Sequence, residues 1–258
     1  MTGLIADDEP HPLDCVNPDG ASPFLLVCEH AGRLIPRSLG SLGLPTSELT
    51  RHIAWDIGAR EIAVALAEAL DAPLYMQRYS RLVCDCNRRP DVPGFAPDLS
   101  ELTSIPGNAG LTPAQLEVRR QAVWSPFHDA VSAALDARRE AGKPTFLVTI
   151  HSFTPVYKGV PRPWEVGVLY NRDRQFAPAA LDYLRRHSDH TVGDNQPYAM
   201  SDEGDYTIPV HGEKRGIPCV EFEIRNDLTA GAEAIRHWSE LIARTVRSAA
   251  ASAQAPAP

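Results

Sequence analysis

Short apolar runs of strand length punctuate the chain: "PFLLVCE" (23–29), "PLYMQR" (73–78), "RLVCDC" (81–86), "TFLVTI" (145–150), "EVGVLY" (165–170) and "PCVEFEI" (218–224). The stretches between them carry helical periodicity instead. In "DIGAREIAVALAEALD" (56–71), Ile57, Ile62, Leu66 and Leu70 fall near one face. Residues 111–142 open with Thr112 as an N-cap, Pro113 at the first helical position and Gln115 three residues after the cap, and close at Gly142; Pro126 should kink or break this helix. Residues 173–187 and 232–250 are two further amphipathic helices. Strands alternating with helices predict an α/β fold with a mixed, mostly parallel central sheet flanked by helices on both faces. No repeat or linker divides the chain, so a single domain over residues 1–250 is expected, with a low-complexity, disordered tail at 251–258. The Pro- and Gly-containing stretch 88–108 reads as a long loop of the kind that carries function.

Composition narrows the function classes. The 258 residues are 43% hydrophobic and 22% charged, as in soluble globular proteins, and the formal net charge is −8. An acidic surface argues against nucleic acid or an anionic membrane as the main partner, and an anionic substrate would need positive charge concentrated in the site. No apolar run approaches the roughly 20 residues of a membrane span. The first residues lack the basic flank and apolar core of a signal peptide, and the chain reads as cytoplasmic. Five cysteines, three of them in apolar runs, point to buried reduced thiols; Cys84 and Cys86 have no second close pair with which to complete a thiolate metal site.

What the apolar runs end on is more informative. The run 145–150 leads directly into His151 and Ser152, the first run into Glu29 and His30, and the run 81–86 delivers Asp85, Asn87 and Arg88. In the last run Glu221, Glu223 and Arg225 are two apart and share a strand face, where buried charges are costly unless paired or coordinating something. Carboxyl ends of strands are where α/β sheets hold ligands. Two histidines and a carboxylate, leaving a fourth position for chemistry, are a common ligand set for catalytic zinc. Asp56 and Glu29 are both candidates for that carboxylate, although Asp56 also suits a helix N-cap. His52, His128 and His237 lie in or beside helical runs and read as structural or solvent-facing.

The segments "CEHAGRLIP", "HIAWDIGA", "SRLVCDCNRRP", "IPGN", "IHSFTPVY", "RPWEVGVLYNRD", "GDNQPYA", "DYTIPVHGEKRGIP" and "VEFEIRNDL" occur in this order over roughly residues 23–245. Together they resemble the N-formylglutamate amidohydrolase family, which is similar to the zinc carboxypeptidases. The resemblance implies a zinc-carboxypeptidase-like fold and a zinc-dependent hydrolase that cleaves the formyl amide of N-formyl-L-glutamate, or of a related small anionic acyl-amino acid. It implies His30 and His151 as metal ligands, Glu223 as the general acid/base with Glu221 as its substitute, and Asn87 and Arg88 as a carboxylate-binding pair. It adds His211 in a transition-state or substrate-binding role and Asn195 as a substrate contact, with Arg162 and Arg81 as weaker anion-binding candidates. One departure matters: where carboxypeptidases place a glutamate three residues after the first metal histidine, this chain has Arg33. The third ligand must then come from elsewhere, and Asp56 is the expectation. A metal-free binding protein that keeps the pocket is the distant alternative.

Overall fold

The computed structural model describes residues 3–254. Its strands are β1 (Leu13–Val16), β2 (Phe24–Cys28), β3 (Leu74–Gln77), β4 (Leu99–Ser100), β5 (Thr103–Ser104), β6 (Phe146–Phe153), β7 (Val156–Tyr157), β8 (Val160–Pro161), β9 (Val166–Leu169), β10 (Val192–Asp194) and β11 (Cys219–Arg225). Its helices are α1 (Thr46–Leu49), α2 (Ala59–Leu70), α3 (Pro113–Arg119), α4 (Ser125–Glu140), α5 (Phe176–His187) and α6 (Gly231–Gln254). Seven strands form one sheet in the order β1-β3-β2-β6-β11-β9-β10. The central run β3, β2, β6, β11 is parallel, as is the pair β9–β10; β1–β3 and β11–β9 are antiparallel. The mixed, mostly parallel sheet expected from the apolar runs is what forms.

Alternation divides the two faces. Phe24, Leu26, Val148, Ile150, Val220, Phe222 and Ile224 pack with α2, α5 and α6 into the larger core. Leu25, Val27, Leu147 and Cys219 point the other way, against Phe127, Val131 and Leu135 of α4 and the loop residues Tyr79, Val83 and Phe95. On that second face the next residues along each strand turn polar: Glu29, Thr149 then His151, and Glu221 then Glu223, all buried. Because β2, β6 and β11 are parallel, these polar groups gather at one edge of the sheet.

Four expectations need correction. Residues 81–86 do not form a strand. Leu82 and Val83 are buried in different clusters, and local polar groups bend the backbone: Ser80 Oγ accepts from Leu82 N, Asp85 Oδ1 from Asn87 N. Side chains that satisfy their own backbone compete with a sheet ladder. Second, α2 begins at Ala59 and its N-cap is Gly58, so Asp56 is not the cap. Gly58 has φ +81°, and a Cβ there would meet the Thr229 hydroxyl at 2.2 Å, so only glycine makes the turn that releases Asp56 toward the sheet edge. Third, the long helix does not break at Pro126: α-helical bonding is interrupted just before it but the helix continues beyond it. The α3 segment opens with the expected Thr112–Gln115 capping box and passes into α4 through a π-helical turn, Arg120–Trp124, which absorbs the missing proline N–H. Fourth, α6 runs to Gln254, so the start of the expected tail, 251–254, is helical; 255–258 lie outside the described residues. The cysteines are all free thiols, four of them buried. Among the described residues no helix is long and apolar enough to cross a membrane.

Candidate active site

Three chain segments deliver His30, Asp56 and His151 to one point. His30 lies just past the end of β2, His151 lies near the carboxyl end of β6, and Asp56 comes from the turn before α2, which is tied back by its amide to the His30 carbonyl (3.0 Å). All three are buried. The separations are 3.2 Å for His30 Nδ1 to His151 Nδ1, 3.3 Å for His30 Nδ1 to Asp56 Oδ2 and 2.8 Å for His151 Nδ1 to Asp56 Oδ2. Ligands about 2.0–2.1 Å from a tetrahedral zinc stand about 3.3 Å from one another. The three atoms therefore fit a divalent ion, and the group could hold one. The opposite ring nitrogens support this. His30 Nε2 is 2.7 Å from Asp85 Oδ1, and His151 Nε2 is 2.9 Å from Glu29 Oε2. The Asp85 carboxylate bonded behind His30 keeps that proton on Nε2 and the Nδ1 lone pair toward the cluster, while Glu29 stands at ion-pair distance behind His151 without hydrogen-bond geometry. Glu29, one of the two candidate third ligands, thus stands behind His151, and Asp56 is the carboxylate that joins His30 and His151 in the group that could hold an ion. Burial opposes the Asp56 charge, but His30 and His151 beside it hold its carboxyl below the usual range.

A cavity of about 330 Å³ opens above this cluster, lined by Asp56, Glu223, Tyr198, Ser152, Phe153, Tyr157, His52 and three arginines, Arg81, Arg88 and Arg162. Glu223 is the Cα partner of His151 in the β6–β11 ladder, one strand away on the same face. Burial first of all pushes the Glu223 carboxyl up to about 7 and that of Glu221 to about 8. Glu221 lies deeper, accepting from Thr149 Oγ1 at 3.2 Å. The arginines differ in how committed they are. Arg81 pairs with Asp85 (2.6 Å) and Asp56 (3.4 Å), and so belongs to the cluster's surroundings. Arg88 reaches Asp205 Oδ1 at 3.0 Å and also donates to the Gly204 carbonyl. Arg162 stacks over Tyr157 (4.5 Å to the ring centroid), and among the described residues no carboxylate pairs with it.

Other expected site residues lie elsewhere. Asn87 is buried behind the wall, its side-chain oxygen accepting from the amides of Tyr206 and Thr207 (both 3.1 Å). Asn195 sits in a turn at φ 49° and accepts from Tyr170 N at 3.0 Å, so the structure does not bring it to the cavity. Arg33 lies over Trp55, and Arg225 pairs with its neighbour Asp227. His211 is buried below the cavity with its Nε2 2.9 Å from His128 Nδ1, while His128 Nε2 donates to the Cys86 carbonyl at 2.8 Å. His128, expected from its helical position to be structural or exposed, is thus the partner of His211, and His52 lines the cavity. His237 lies on the surface beside His190, 2.8 Å away.

The histidine pair makes the fold acid-sensitive. Burial first, then the charge of neighbouring His211, lowers His128 to about 3, and burial followed by the Arg215 charge lowers His211 to about 4. Below the ordinary value near 6.5 the unfolded chain takes up protons that the folded chain refuses, so stability is full above that value and is lost as pH falls toward 4. The slope is about 1.4 kcal/mol per pH unit for each histidine. Thermal melts between pH 7.5 and 4.5 should show a falling midpoint that is shallower in His128→Gln. Parallel curves for the two proteins would rule the pair out as the source.

The sequence profile described as N-formylglutamate amidohydrolase matches residues 22–230. The chain belongs to the N-formylglutamate amidohydrolase family. No curated protein sequence matches it significantly. Among solved structures, a gene product of Agrobacterium tumefaciens is 39% identical, with a TM-score of 0.93 over 96% of this chain and 98% of that one. The N-formylglutamate amidohydrolase of Ralstonia eutropha JMP134 is 19% identical with a TM-score of 0.69, covering 94% of this chain and 98% of its own; at that identity the likeness shows the shared fold. The family match spans His30, Asp56, His151 and Glu223, so the cluster and the glutamate beside it both lie within the matched residues.

Proposed function

We propose that the protein is a zinc-dependent amidohydrolase that converts N-formyl-L-glutamate and water to formate and L-glutamate. The observation that carries this reading is that one cavity is lined by Asp56 of the His30–Asp56–His151 cluster, by Glu223 and by the uncommitted guanidinium of Arg162. A dianionic substrate is drawn into a globally acidic protein by local guanidinium charge, and planar forks suit carboxylates. Arg162 takes one substrate carboxylate through its free fork. Arg88 contributes to the second with the donors left over from Asp205. A divalent ion on the cluster, when bound, supplies Lewis acidity worth several kcal/mol of transition-state charge stabilisation. Glu223 removes a proton from the attacking water and returns it to the departing nitrogen, a role that suits a carboxyl whose pKa lies near neutrality and that typically gives about 10²–10⁴-fold. Asp85 and Glu29 hold the two imidazoles in register.

Formyl-, acetyl- and succinyl-amino acids assayed side by side with zinc-loaded protein test the substrate. N-formyl-L-glutamate should give the highest kcat/KM; a higher value on another acyl-amino acid would move the assignment to a related metalloamidase. Less than a stoichiometric metal in purified protein, with no hydrolysis of any of them, would leave a binding protein. Arginine substitutions test the anion site. Arg162→Lys keeps the charge but loses the fork, and should raise KM by about 10–100-fold with kcat little changed, since a hydrogen bond to a charged group is worth about 1.5–3 kcal/mol. Arg88→Lys should raise KM less. The reverse ranking would exchange the two arginines.

A further inference from the structure

Tyr198 lines the same cavity, and its phenol donates a hydrogen bond to Glu223 Oε1. The other carboxylate oxygen, Glu223 Oε2, is buried and has no hydrogen-bond partner among the described residues. The two oxygens of one carboxylate are thus made unequal by a single neighbour. The segment that presents the phenol is itself fixed: Asn195 closes the turn through Tyr170 N and through its own amide to the Val168 carbonyl (3.0 Å).

We propose that Tyr198 is a positioning residue for Glu223, holding Oε1 so that Oε2 is left to take and return the proton. This rests on the reading of Glu223 as the acid/base. A glutamate side chain with three rotatable bonds has competing attractions here, since His151 lies beside it in the ladder and Arg81 and Arg88 share its cavity. A carboxylate accepts only, whereas a phenol supplies one hydrogen; with that hydrogen given to Oε1, Tyr198 has no donor to spare for substrate. Pinning one oxygen sets the plane of the carboxylate, and misplacement of a reacting group by about 1 Å can cost about 10²-fold. Tyr198 thereby acts through Glu223 and not on the substrate.

The test is a double-mutant cycle on zinc-loaded protein: wild type, Tyr198→Phe, Glu223→Gln and the double variant, assayed on N-formyl-L-glutamate with metal content and Tm measured alongside. Phe keeps the ring at a partly exposed position, so fold and metal content should hold. Tyr198→Phe should lower kcat by about 10–100-fold, the change that loss of one hydrogen bond to a charged group corresponds to, with KM unchanged. The double variant should be no slower than Glu223→Gln, because no proton remains to be directed. Losses that multiply in the double variant, or a raised KM with kcat intact, would make Tyr198 a substrate contact and overturn the proposal. So would a faster Tyr198→Phe, which would make the phenol a gate over Glu223. Wild-type kcat in Tyr198→Phe beside a dead Glu223→Gln overturns the proposal and leaves the base assignment standing. Full activity in Glu223→Gln overturns both.

Discussion

Replacing Glu223 by glutamine is expected to lower kcat by at least about 10² while the fold and the bound metal are retained. Glutamine preserves the shape of the side chain and can still accept from the Tyr198 phenol, but it cannot take up a proton. Removing a charge from a fully buried position that strains to hold it also costs the fold little: burial already pushes this carboxyl up to about 7. The loss should therefore fall on kcat, with KM for N-formyl-L-glutamate close to wild type and metal analysis still giving about one ion per chain. Glu221→Gln is the comparison, since Glu221 lies two residues back on the same face, accepting from Thr149 and standing 3.6 Å from His151 Nε2, but does not line the cavity. If Glu221→Gln is dead and Glu223→Gln is active, the roles exchange. Full activity in both would remove carboxylate acid/base chemistry from this protein.

The second large effect concerns the metal. Asp56→Ala should abolish stoichiometric zinc binding and activity together, because it removes one of the three groups proposed to hold the ion and opens a cavity in a buried cluster. Glu29→Gln should be milder. Glu29 touches the far nitrogen of His151, and loss of such an outer partner typically costs about 10–100-fold in metal affinity or activity. Equilibrium dialysis of the two variants against zinc ranks them directly. Should Glu29→Gln lose the metal while Asp56→Ala keeps it, the carboxylate ligand has been misassigned.

Much of this architecture is legible in residue order. Runs such as 145–150 carry buried-strand composition, and the residues at their ends, His151 in one case and Glu29–His30 in another, mark the carboxyl edge where chemistry collects. Residues 81–86 mislead because apolar composition is shared by a buried strand and a buried turn; Ser80 and Asp85 decide the matter through hydrogen bonds that no periodicity records. β1 and β10 escape a reading of the sequence because edge strands of three or four residues carry almost no pattern. Within the site, His30, Asp56, His151, Arg88 and Arg162 can all be named from sequence, yet the ranking of the arginines depends on which of them already has a carboxylate, a tertiary fact. His128 lies hidden in a helix, since burial of one polar residue on an amphipathic face is invisible without its partner. Tyr198 stands in "NQPYA" beside the expected Asn195; the aromatic and not the amide reaches the cavity.

The parallel register of β6 and β11 has a consequence of a different kind. His151 and Glu223 are neighbours because a ladder of backbone hydrogen bonds counts residues, and a ladder counts only in whole numbers. A slip of one residue would present Phe222 or Ile224 to the cavity and send Glu223 into the apolar core beneath α5 and α6. There is no half-displaced sheet in which the glutamate is merely a little far from the histidines. With Glu223 in the proposed role, register faults in this ladder would be all-or-none: molecules with β6 and β11 in register would work and slipped ones would be silent, so slippage would lower the active fraction and leave KM unchanged.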